Sequence, residues 1–76
     1  MKYEILFLVE EDPEGGYTAR AMHNDFSIYT EGDTIDELKK NIIDSVGCHF
    51  DDTEEIPGLI RLHFVRDEVI HYAPVT

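Results

Sequence analysis

Cys48 and His49 stand side by side, with His63 and His71 further along, and these are the residues best equipped for chemistry. A cysteine beside a histidine can serve as nucleophile and base, or supply part of a metal site. Neighbouring residues on a helix point about 100° apart, so the two are poorly placed to address one substrate. No CxxC or HxxxH spacing accompanies them. Cys48 is therefore read as structural, with a metal site or a nucleophile as the competing readings. His63 alternates with Leu62 and Phe64 on the face shared with Arg61, and reads as a surface or interface histidine.

Carboxylates offer a second possibility. A two-metal nuclease needs acidic side chains converging from a first strand, a helix and a later strand. Glu4 and Glu10 lie near the start and end of the first expected strand, and the core-facing helix positions carry no acid. The pair Gly15-Gly16 could let a backbone approach a phosphate, but no helix N-terminus follows it, so it reads as a hairpin turn. No catalytic residue, cofactor site or metal site is assigned.

The elements that would carry these residues follow from periodicity. Residues 2–10 read as a strand with Ile5, Phe7 and Val9 on one face and Leu6 and Leu8 on the other. Apolar side chains on both faces predict a central strand covered on both sides. Pro13 and Gly15-Gly16 make the following turn. Residues 17–22 return as a second strand with Tyr17, Ala19 and Ala21 facing one way. After a turn at His23-Asn24-Asp25, residues 26–30 form a short third strand with Phe26 and Ile28 inward.

Thr34 and Glu37 have the spacing of a capping box, and Asp33, Asp36 and Glu37 put negative charge at the positive end of a helix dipole. Leu38, Ile42, Val46 and His49 or Phe50 then form one apolar stripe, ending near Phe50. Residues 59–65 make a fourth strand, with Ile60, Leu62 and Phe64 opposite Arg61, His63 and Val65. Residues 69–72 read as a fifth edge strand or an ordered coil. The fold class is thus α+β, in the order β-β-β-α-β: an antiparallel meander, one helix packed on the sheet, and a returning fourth strand, all within a single domain over residues 1–76.

A chain of 76 residues buries only roughly 60% of the surface its unfolded form exposes, leaving a thin stability margin. With Cys48 as the single cysteine, no disulfide framework can reinforce it. A formal charge of −11 repels phosphate backbones, which argues against direct nucleic-acid binding and favours solubility or docking of a basic partner on the acidic surface of Glu10-Glu11-Asp12, Glu14, Asp51-Asp52 and Glu54-Glu55. The charged start of the chain and an apolar run limited to residues 5–9 give no secretory signal or membrane span, so a cytoplasmic location is expected.

The run Glu14-Gly15-Gly16-Tyr17, followed by Thr30-Glu31-Gly32-Asp33-Thr34-Ile35-Asp36-Glu37-Leu38 at a helix start, resembles the HicB-like family. The likeness extends over roughly residues 1–65. It implies a partial ribonuclease H-like fold without hydrolytic activity, self-association, and binding to a small basic toxin. Residues 22–27 depart from the family's usual segment before its third strand, and the fourth strand is longer than in many relatives. Full antitoxins of this kind carry a C-terminal DNA-binding part, which the residues to Thr76 do not provide, so operator binding is not implied.

The resulting expectation is a non-enzymatic, antitoxin-type binding module that associates as a homodimer or larger. Leu6, Leu8, Leu59 and Val65 need a cover that one helix does not give, and open apolar faces mark association surfaces. The alternatives are an orphan structural or interaction protein with no toxin partner, and a metal-binding or enzymatic protein using Cys48 and His49.

Overall fold

The computed structural model describes residues 4–22, 27–50 and 57–73. It contains β1 (Glu4–Glu11), β2 (Tyr17–Met22), β3 (Ser27–Gly32), α1 (Ile35–His49) and β4 (Leu59–Val65). The four strands form one sheet in the order β3-β2-β1-β4. β1, β2 and β3 are the expected antiparallel meander, with Val9 opposite Ala19 and Ala21 opposite Ile28. β4 lies on the far side of β1 and runs parallel to it. A parallel neighbour cannot be reached by a hairpin and needs a crossover, which the β3-α1-β4 connection supplies. The sheet is therefore mixed.

Strand boundaries shift slightly from the sequence expectation. The first strand runs on to Glu11, and the third runs on to Gly32 rather than ending at Thr30. The reason is the hairpin: Thr18 and Tyr17 pair with Glu31 and Gly32, which draws the third strand to the end of its partner. Phe26, the turn at residues 23–25 and the acidic loop at residues 51–55 lie outside the described residues. Residues 69–72, left open as strand or coil, are coil.

The turn after β1 is closed as its residue types require. Asp12 N–H donates to the Gly16 carbonyl and Gly15 N–H to the Asp12 carbonyl, both at 2.9 Å. The Asp12 carboxylate accepts from Glu14 N–H at 2.8 Å. Gly15 and Gly16 take φ of 109° and 85°, conformations that side chains with a Cβ rarely adopt.

Thr34 caps α1, its hydroxyl accepting from Glu37 N–H at 3.1 Å. The helix ends at His49, where Phe50 N–H still reaches the Val46 carbonyl at 3.0 Å. Its stripe of Leu38, Ile42 and Val46, continued by Phe50, is buried against Ile5, Phe7, Val9, Ala19, Ala21 and Ile28. His49, the other candidate for the stripe, is exposed. α1 packs on β3 and β2, where small Ala19 and Ala21 admit a close approach. Ile60 and Leu62 join the margin of this core, but Phe64 remains about half exposed.

Candidate binding surfaces

The topology gathers negative charge at one end of the molecule. β1 and β3 end there, α1 begins there, and β4, parallel to β1, ends there too. Glu10, Glu11, Asp12 and Glu14 therefore share an end with Glu31 and Asp33, with Asp36 and Glu37 of the first helical turn, and with Asp67. Two clefts open in it. One of about 340 Å³ lies between the β1–β2 turn and the helix start and is lined by Asp12, Tyr17, Glu31, Asp33, Glu37 and Asn41 among others. The other, of about 330 Å³, is bordered by Glu10, Glu11, Asp12, Pro13, Val65 and Asp67. Asn41 Nδ2 donates to the Glu31 carbonyl at 2.8 Å and ties the helix to this end of β3. Among the described residues, no three His, Cys, Asp or Glu side chains are grouped so as to hold a metal ion.

A second surface is the sheet face away from α1. Alternation places Glu4, Leu6, Leu8 and Glu10 of β1 there, beside Leu59, Arg61, His63 and Val65 of β4 and Arg20 and Met22 of β2. Leu6 is about half exposed and Met22 and Leu59 more so. A shallow groove of about 570 Å³ runs over Leu6, Leu8, Arg20 and Met22. The apolar character of Leu6 and Leu8 is as expected, but no element of the described chain covers it. Ion pairs rim the face. Arg61 binds both carboxylate oxygens of Glu4, at 2.8 and 2.9 Å, and Arg20 lies 3.6 Å from Glu10.

The bidentate hydrogen bond from Arg61 is the main reason the Glu4 carboxyl is held below its ordinary range; slight desolvation opposes it and the guanidinium charge adds to it. The same bond raises the Arg61 guanidinium.

These geometries bear on each candidate read from the sequence. Glu4 and Glu10 share a face but are separated along one strand by about 20 Å at ~3.3 Å per residue, too far to hold a metal pair. Cys48 is exposed on α1. His49 sets its ring edge against Phe50, with centroids 4.8 Å apart. The helix brings Cys48 and His49 to the border of one open groove of about 500 Å³, alongside Tyr29, Asp44 and Ser45. His63 lies on the open sheet face across from Leu8, and His71 is exposed beyond β4. Gly15-Gly16 is the expected hairpin.

Two features escaped sequence reading. The Glu4–Arg61 pair depends on the parallel register of β4, which pairs Leu6 with Arg61 and brings Glu4 alongside. Crossover logic could have signalled it. Gly32 is buried under the first turn of α1, and a Cβ there would lie 2.6 Å from Leu38 N. Its place just before the capping box was the available sign.

Among the described residues, no helix is long and apolar enough to cross a membrane. The chain is 42% identical over 67 residues to a UPF0150 protein of Thermotoga maritima, spanning 88% of this chain and 90% of that one. It is 46% identical over 50 residues to a UPF0150 protein of Archaeoglobus fulgidus, spanning 66% of this chain and 71% of the relative. No family profile matches the chain, and no solved structure matches it.

Proposed function

The chain belongs to the UPF0150 family, and from that premise we propose that it is a non-enzymatic, HicB-like binding module of the antitoxin type. It works as a homodimer or larger and receives a small basic protein at its acidic end. The observation that carries the reading is the convergence of carboxylates from the β1–β2 turn, the end of β3, the start of α1 and the segment after β4. Most of these acids are exposed, and 17 Asp and Glu against 6 Lys and Arg leave the chain at −11. A basic partner would be steered in by this field and held in register by the two clefts. The same field disfavours RNA and DNA, which fits a protein that acts on another protein.

The test is capture from source-cell lysate at low salt, comparing the wild type with a variant carrying Glu11→Gln, Glu14→Gln, Asp36→Asn and Asp67→Asn. These side chains are exposed, and the structure assigns them no hydrogen bond that holds the turn or the helix cap. The expected result is one small basic protein retained by the wild type and lost by the variant or by added salt. That protein, expressed alone, should arrest growth, and co-expression of this chain should relieve the arrest. If neither form retains a basic protein, the chain is an orphan interaction protein and the antitoxin reading fails.

A further inference from the structure

Beyond β4 the chain continues as an arm, residues 66–73, which pairs with no strand among the described residues. Val69 is 81% exposed, Ile70 83% and Tyr72 99%. The molecule measures 61 × 22 × 17 Å, far longer than the sheet's longest strand at about 26 Å. Apolar side chains of this size are favourably removed from water, so an arm of this composition calls for a surface to lie on.

A matching surface exists on the same fold. Among the described residues β4 is an edge strand, paired with β1 alone. On the helix side its Ile60, Leu62 and Phe64 flank the core without being fully covered, because α1 sits over β2 and β3. In an extended arm Ile70 and Tyr72 point one way and Val69 and His71 the other. An added strand beside β4 would set Ile70 and Tyr72 next to Ile60, Leu62 and Phe64, and Val69 next to Leu59 or Val65 on the open face. The reach also fits: eight arm residues extend about 26 Å, and the seven of β4 about 23 Å.

The arm is poorly made to fold back on its own β4. The connecting Arg66-Asp67-Glu68 has no glycine to take the positive φ that a tight hairpin favours, and Asp67 is its one turn-forming residue. Arg66 and Glu68 instead approach each other at 3.5 Å as the chain runs on. We propose that residues 66–73 cross to a second copy of the chain and add as an edge strand to its β4, each copy giving and receiving one arm. This rests on the self-association within the proposed function and supplies its mechanism; it extends the sheet by a strand in each copy and covers an exposed strand edge.

The test compares the mass in solution of the wild type and of the full-length Ile70→Ser, Tyr72→Ser variant. These side chains take no part in the core, and circular dichroism would show that the fold persists. The expected result is a dimer for the wild type, twice the 8.8 kDa chain mass, and a monomer for the variant. A second measurement uses Cys48→Ser chains refolded together, one bearing Ile70→Cys and the other Ile60→Cys or Phe64→Cys. Oxidation should cross-link the two different chains. A wild-type dimer that the variant keeps, with no cross-link, overturns arm exchange while leaving self-association standing. A wild-type monomer overturns both, and neither result bears on capture of a basic protein.

Discussion

Glu4 and Arg61, 57 positions apart in the chain, meet as a bidentate pair on the open face of the sheet, with Nε–Oε2 at 2.8 Å and Nη2–Oε1 at 2.9 Å. The pair joins the first and last strands, and it forms only if β4 runs parallel to β1 in the observed register. The folded chain holds the Glu4 carboxyl below its ordinary value of 4.5, chiefly through the hydrogen bonds from Arg61. A carboxyl depressed in the folded state contributes stability that is full above the unfolded value and fades as pH falls through the folded one. Both side chains are substantially solvated, so the contribution is small. The denaturation midpoint of the wild type should exceed that of Glu4→Gln at pH 7, and the gap should close as the pH is lowered below 4.5. A gap that stays the same from pH 7 into acid would show that the pair contributes nothing.

Thr34→Ala should destabilise the fold by about 1 kcal/mol, the usual cost of losing an N-cap. The Thr34 hydroxyl is the acceptor for Glu37 N–H, and that donor has no helical partner once the hydroxyl is gone. Chemical denaturation measures the loss. Thr34→Ser, which keeps the oxygen, should recover most of it.

Phe7→Ala should cost about 3–5 kcal/mol, the range for removing a large aromatic from a core. Phe7 is fully buried on β1 between the helix stripe and Leu62 of β4. In a domain this small such a loss is a large share of the total stability. Loss of the cooperative thermal transition at 37 °C, or a steep fall in its midpoint, is the expected readout.

Much of this architecture was legible because local chemistry and global fold agree. Thr34 and Glu37 marked the helix start, Leu38, Ile42 and Val46 marked its buried stripe, and Ile5, Phe7 and Val9 marked the face beneath it. The two-sided apolar character of β1 correctly made it a central strand. It did not show that Leu6 would stay open, since periodicity states which side chains need cover and not what supplies it. The Glu4–Arg61 contact and the place of Asp67 become visible only when β4 is set parallel to β1, which brings Asp67 beside Glu11 and Asp12; the rest of the acidic end follows from the β1–β2–β3 meander and the helix start. The arm was ambiguous for a related reason: Val69, Ile70 and Tyr72 have strand composition, yet of the three residues before them only Asp67 favours a turn and no glycine accompanies it.

Gly32 and Gly47 have opposite surroundings. Gly32 ends β3 directly beneath the helix start, and a Cβ built on it would lie 2.6 Å from Leu38 N and 2.8 Å from Leu38 Cα. Both neighbours are backbone in the first turn of α1, so the helix itself would have to move, loosening Leu38 from the core. Gly32→Ala should therefore destabilise by about 1–3 kcal/mol, the range for overpacking a well-filled site. Gly47 lies within α1, is exposed, and has nothing within 4 Å of its would-be Cβ. There the added methyl only restricts the unfolded chain and favours helix, so Gly47→Ala should stabilise by about 0.5–1 kcal/mol. Denaturation midpoints moving in opposite directions for the two alanines are the expected outcome. Equal shifts would mean that α1 does not rest on Gly32 as the structure places it.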